Sequence, residues 1–240
     1  MRGNGIFSNK LGGALAGIVF SLFVAASAAQ AAPYEFANFN LTNANQPFAF
    51  TNFGGGAGDV RVLDAVVTFN FTQQTGLSTV DHSAFLNLAP VSSPGLFPAA
   101  IVGPTTVDQP MATVARLTIT SGAGGTGTNY LTMIFNGDIV GLLNSNTSSF
   151  VGSDSIGKVV SFTSDFGLIT SPGNSFNLGL ATMSQPLAPG PSGVISNFNS
   201  NMNGQFTGNF AAPVPEPSSI VLLGLGLVTA VTVKRRHTWF

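Results

Sequence analysis

The sequence predicts an all-β fold: an antiparallel β-sandwich of the jelly-roll or Ig-like kind over residues 32–210, flanked by an apolar helix at each end. Three observations predict it. Short runs alternate apolar and polar residues with a period of two, clusters of Gly, Pro and Asn separate those runs, and the composition disfavours helix. Ser, Thr and Asn number 23, 22 and 20 among 240 residues, while only 7% of the chain is charged, against about 25% in an ordinary soluble protein. Ser, Thr, Asn and Gly are weak helix formers that favour caps, turns or strands.

Taken in order, Tyr34–Leu41 and Phe48–Phe53 are strand candidates rich in aromatics. Val67, Phe69 and Phe71 then alternate with Thr68, Asn70 and Thr72. Ala115, Leu117 and Ile119 alternate with Arg116, Thr118 and Thr120, and Phe176, Leu178 and Leu180 alternate with Asn177, Gly179 and Ala181. This period marks strands with one face buried. Leu131–Phe135, Lys158–Thr163 and Gln205–Phe210 complete the set. The breakers are Gly54–Gly58, Pro90–Pro98, Ser121–Gly127, Ser171–Asn174 and Pro186–Gly193. The 17 Phe of residues 32–212 supply a core, since each ring buries a large apolar area. No repeat of fixed period is visible, which disfavours a solenoid or propeller. Residues 211–217 read as a Pro-rich linker.

The first 31 residues read as a signal peptide. Arg2 and Lys10 form a positive n-region, Leu11–Ala28 is uncharged and apolar, and Ala29-Gln30-Ala31 supplies the small-x-small cleavage pattern. Signal-peptidase cleavage is therefore assigned to Ala29 and Ala31, with Ala26-Ser27-Ala28 as a second candidate cut. A permanent N-terminal anchor is disfavoured by Gly12, Gly13 and Gly17 and by the cleavage site that follows. At the other end, Pro215-Glu216-Pro217 precedes the apolar run Ile220–Val233 and the basic cluster Lys234, Arg235 and Arg236. The prolines hold the chain extended ahead of a transmembrane helix. Ser218–Val233 spans about 24 Å as a helix at 1.5 Å per residue, short for a bilayer core of about 30 Å. The basic cluster acts as a membrane stop that stays cytoplasmic. Both ends thus place the region between them outside the inner membrane.

This tail, residues 213–240, resembles the PEP-CTERM sorting signal of Gram-negative bacteria, also labelled the ice-binding protein C-terminal domain. The match lies in Pro215-Glu216-Pro217, the apolar helix and Lys234–Arg236. His237-Thr238-Trp239-Phe240 extends beyond the point where most such tails end. The resemblance implies an exosortase substrate: exported, parked transiently in the inner membrane, cut near Pro215–Pro217 by a membrane-embedded protease, and delivered to the cell surface or outside it. It also implies an association with exopolysaccharide or biofilm. The body carries no resemblance to a known family.

Charge and chemistry narrow the body further. Residues 32–212 hold three basic residues (Arg61, Arg116, Lys158) against eight acidic ones, a net charge of −5, which excludes a nucleic-acid partner held by counterion release. The absence of Cys excludes disulfides, thiol chemistry and thiolate metal centres. Gly122–Gly127 satisfies the G-x-G-x-x-G string but sits between two predicted strands, where the chemistry needs a strand and then a helix. Gly152–Lys158 matches most of a phosphate-binding loop, with Val159 where Ser or Thr would hold Mg²⁺. Asp81-His82-Ser83 holds the three residue types of a hydrolase triad as sequence neighbours, which point apart. His82 is the body's single His, and is expected as a surface or turn residue. Neither Asn-x-Ser/Thr strings nor the sparse Thr118/Thr120 and Thr126/Thr128 pairs carry a function.

The expectation is therefore a non-enzymatic surface or extracellular-matrix protein with no catalytic residue, no cofactor and no metal ligand assigned, although its oxygen-rich loops leave room for a structural calcium. A carbohydrate-binding or adhesive module is the alternative. An exported hydrolase is the second alternative, and needs two facing carboxylates among Glu35, Asp59, Asp64, Asp81, Asp108, Asp138, Asp154 and Asp165.

Overall fold

A computed structural model describes residues 32–93, 98–190 and 192–211. Chain contacts separate residues 1–32 from 33–240, and the account below concerns the second unit. The helices expected at the two ends, and every residue assigned to signal cleavage, sorting or membrane stop, lie outside the described residues.

Strands dominate, and every pairing between them is antiparallel. They are β1 (Tyr34–Leu41), β2 (Phe48–Gly54), β3 (Ala57–Phe71), β4 (His82–Ser93), β5 (Ile101–Val102), β6 (Thr106–Pro110) and β7 (Ala115–Gly122). Then follow β8 (Thr126–Phe135), β9 (Asp138–Leu142), β10 (Ser148–Ser153), β11 (Val160–Thr163), β12 (Leu168–Ala181) and β13 (Phe198–Ala211). The only helical turns among the described residues are 3₁₀ turns at Gln73–Thr75 and Ala123–Gly125. One hydrogen-bonded sheet runs β11-β8-β7-β4-β3-β1-β13-β12-β10-β9-β6-β5. Between the long strands β3 and β13, β1 and β2 lie end to end: β1 pairs with Val67–Phe71 and with residues 203–208, β2 with residues 57–61 and 198–200.

The alternations land as their period dictates. Val67, Phe69 and Phe71 are buried, as are Ala115, Leu117 and Ile119 on β7 and Phe176, Leu178 and Leu180 on β12. Thr120 departs from the pattern: it is buried, its hydroxyl donating to the Gly122 carbonyl. Two expected breakers prove to be strand. β4 continues through Ser93, into the Pro90–Pro98 stretch. Ser171–Asn174 sits inside β12 as a wide irregularity opposite β13, between the Thr170–Asn209 and Ser175–Thr207 pairs. A bulge absorbs the extra residues without ending the strand, and Gly173, at φ 105°, takes a backbone conformation other residues resist.

Aromatic rings connect strands that are distant in the sheet order. Phe162 of β11 packs edge-on against Phe36 of β1 and Phe206 of β13, at 5.2 and 5.9 Å between centroids. Phe135 of β8 meets Phe176 of β12 at 4.7 Å and Phe150 of β10 at 5.3 Å. Phe36 and Phe39 each contact Phe206. Edge-to-face and offset geometries are those favoured by the ring quadrupole. Gly204 of β13 is required by this packing, since a Cβ there would run into the Phe39 ring and Leu178 Cδ2. Gly204→Val is expected to lower stability by about 1–3 kcal/mol through overpacking, measurable as a shifted urea midpoint with unchanged slope.

Candidate functional site

Several acidic side chains accept hydrogen bonds from neighbouring residues. Glu35 accepts from Asn38 Nδ2 at 3.0 Å, Asp81 from Asn70 Nδ2 at 3.1 Å, and Asp165 from the Asn129 backbone N–H at 2.8 Å. Asp59 is buried on β3, with Arg61 Nε 4.0 Å away. His82 starts β4, where its ring lies 4.9 Å from that of Tyr130. It is half-buried at a strand start, neither fully on the surface nor in a turn. Ser83 lies one residue further along β4, so the three triad-type residues stay sequence neighbours and do not converge.

Gly122–Gly127 closes the β7–β8 hairpin, as its flanking strands predict, with Gly122 paired to Thr126. The Gly124 N–H, the sort of group that would cradle a phosphate, instead donates to Asp64 Oδ1 at 2.6 Å. Asn87 Nδ2 donates to the same oxygen at 2.9 Å, and Asn87 Oδ1 accepts from the Asp64 N–H at 2.9 Å. Asp64 has φ 46°, a left-handed conformation that Asp and Asn tolerate. The Gly124 N–H, and after it Asn87, hold the Asp64 carboxyl below the usual carboxylate range. A carboxylate whose folded pKa is depressed stabilises the fold fully above its unfolded pKa of about 3.9, and that support is lost as pH falls through the folded value. Asp64→Ala is expected to cost only about 0.2–1 kcal/mol at pH 7, because solvent screens this exposed carboxylate, with the difference from wild type shrinking in acid denaturation series below about pH 4.

Gly152–Lys158 joins β10 to β11 through a turn closed by the Ser155–Lys158 bridge, with no helix to receive a phosphate. The Lys158 ammonium donates to Asp138 Oδ2 at the start of β9. Asp108 on β6 is diagonal to Asp138, because Pro110 pairs with Asp138 and Asp108 with Val140. Burial pushes the Asp108 carboxyl above its ordinary value; the Asp138 charge adds to this and Lys158 opposes it. No group of three or more His, Asp or Glu placed to hold a metal exists among the described residues.

A cleft of about 470 Å³ opens between the end of β2 and the β12–β13 loop. Gly54, Gly55 and Gly56 all have positive φ, which lets β2 turn tightly into β3 and leaves Phe53 61% exposed at the rim. Asn52 clamps the opposite wall: its Nδ2 donates to the Val194 and Ile195 carbonyls at 3.3 and 3.1 Å, and its Oδ1 accepts from Gly54 N–H at 2.7 Å. Asn197 Oδ1 accepts from the Asn52 N–H at 2.6 Å. Gln185, Ser196 and Asn197 line the cleft with amide and hydroxyl groups. Alternation could not have revealed this site, because Asn52 and Asn197 lie 145 residues apart.

Residues 213–236 match the PEP-CTERM protein-sorting motif. That match spans Pro215, Glu216 and Pro217 and the basic cluster Lys234–Arg236. It points to an exosortase-sorted, exported surface protein. No curated protein and no solved structure matches the chain.

Proposed function

We infer that the chain is a non-enzymatic protein of the cell surface or extracellular matrix, processed at both ends and delivered together with exopolysaccharide. The sorting motif at 213–236 carries this reading. In it, signal peptidase cuts after Ala31, the C-terminal apolar helix holds the chain briefly in the inner membrane, and an exosortase-type membrane protease cuts near Pro215–Pro217. The body is a β-sandwich formed by one sheet doubled over, in which β8 and β11 face β1, β10, β12 and β13 through their Phe rings. It uses no cofactor. The engagement of its carboxylates supports a non-catalytic role. Asp108 and Asp138, which share a neighbourhood, each have an Oδ1 sealed from solvent. The experiment is expression of the full chain in paired hosts with and without an exosortase. Trimmed protein outside the inner membrane in the first, and untrimmed membrane-held protein in the second, is expected; identical fates in both would sink the reading.

The cleft at Asn52 favours a second, compatible reading as a carbohydrate-binding module. An exposed ring beside amides and hydroxyls is the chemistry that stacks on a sugar face and bonds its hydroxyls. Phe53→Ala with Asn197→Ala is expected to weaken retention on the producing host's polysaccharide about tenfold, or about 1.4 kcal/mol. Affinity electrophoresis in gels cast with that polysaccharide measures it, and unchanged mobility shifts would remove the cleft from consideration.

A further inference from the structure

Lys158 and Asp138 meet in an unusual setting. Their side chains are only 31% and 24% exposed, and the ammonium is in direct hydrogen-bonding contact with the carboxylate. Asp108 stands diagonally across the β6–β9 pairing. Among the described residues, Asp108 Oδ1 and Asp138 Oδ1 are both shut off from solvent without a hydrogen-bond partner. An ammonium paired with Asp138 alone, beside a second carboxylate diagonal to it, with one sealed and unpartnered oxygen on each acid, is a costly arrangement. Neutral groups would relieve it. The elevated proton affinity of Asp108, caused first by burial, agrees with one of the acids carrying a proton.

We propose that Lys158 and Asp138 condense into an intramolecular amide, an isopeptide cross-link, with Asp108 as the proton-relaying group. Nζ of Lys158, as the free amine, attacks Cγ of the protonated Asp138 carboxyl. The Nζ–Cγ bond forms and a Cγ–O bond breaks. Asp108 accepts a proton from the attacking nitrogen and returns one to the departing hydroxyl, which leaves as water. Relative to the ammonium–carboxylate pair, two of the three Nζ protons depart in that water and one stays on the amide. No electron is gained or lost, and no co-reactant is needed. Contact between the two groups supplies the proximity that makes an intramolecular acyl transfer competitive. The product removes one positive and one negative charge from a half-buried place.

The position gives the bond a purpose. Lys158 leads into β11, at one end of the sheet order, and Asp138 opens β9, near the other. Among the described residues no hydrogen-bonded strand pairing joins those two ends, so the amide would add a side-chain link to the main-chain link that Asn136 and Gly137 make between β8 and β9. The chain has no Cys and therefore no disulfide to do this for an exported domain. The inference is independent of the sorting reading.

The full chain, purified from membranes in detergent, tests it by peptide mapping and tandem mass spectrometry. After denaturation, trypsin should fail to cut following Lys158, and a chymotryptic map should yield a branched peptide containing Asp138 and Lys158 that is lighter by one water. Lys158→Arg keeps the charge pair and should restore both the full mass and the tryptic cut. Asp108→Asn should fold, as judged by an unchanged far-UV spectrum, yet lose most of the cross-link. A tryptic cut at Lys158 in the wild-type chain would overturn the proposal, as would a lost water confined to a single residue. Undiminished cross-linking in Asp108→Asn would overturn the relay.

Discussion

Replacing Pro215, Glu216 and Pro217 together with alanine is expected to leave the chain untrimmed in the inner membrane, whereas the proposed function has the parent chain cut and exported. Alanine is the best helix former and proline the worst, by about 3 kcal/mol per residue. In the proposed reading the substitution removes two helix breaks and would let an apolar helix over Ile220–Val233 extend outward through the cleavage region. A helix satisfies its own backbone groups, so the extended segment that a membrane-embedded protease would grip is gone. In the proposed reading, a helical span of about 24 Å at 1.5 Å per residue would set the depth of the Pro-Glu-Pro segment, and Lys234, Arg235 and Arg236 would keep the tail from slipping through. Fractionation and intact-mass measurement in an exosortase-bearing host provide the readout. Normal trimming of the substituted chain would reduce the motif to a linker.

Phe206→Ala is expected to be the most damaging single core truncation, at about 3–5 kcal/mol. The ring is fully buried and contacts Phe36 and Phe39 of β1 and Phe162 of β11. Its loss opens a void between strands that the sheet order keeps far apart, and close-packed neighbours can fill only part of it. Against a total stability of about 5–15 kcal/mol, that is enough to leave a sizeable unfolded population. Phe53→Ala is the control: that ring is largely exposed, and its removal should change stability by no more than about 0.5 kcal/mol. Urea denaturation of the two variants would measure the difference. Equal midpoints would contradict the ring network as the centre of the core.

The strands legible in the sequence are those with one wet and one dry face. Val67–Phe71, Ala115–Ile119 and Phe176–Leu180 declare themselves because burial alternates with the pleat. β6, β9 and β10 do not, since Thr106–Pro110, Asp138–Leu142 and Ser148–Ser153 are short and mix polar and small residues on both faces. They are strands because neighbours supply their backbone partners. Pro90–Ser93 and Ser171–Asn174 were expected to break the chain, yet β3 and β13 are long enough to carry β4 and β12 past them.

The sequence by itself determined the all-β character of the body, its Phe core, the hairpin at Gly122–Gly127 and the sorting motif at the tail, because each rests on residues a few positions apart. Only the tertiary structure brings Asn52 and Asn197 together across a cleft, sets Asp64 on the Gly124 N–H, and brings Lys158 to Asp138 beside Asp108. The physical reason is that side-chain period and turn chemistry are local properties of the chain. Register and strand order depend instead on which distant backbone groups pair and which rings fill the same space, and no single segment contains that information.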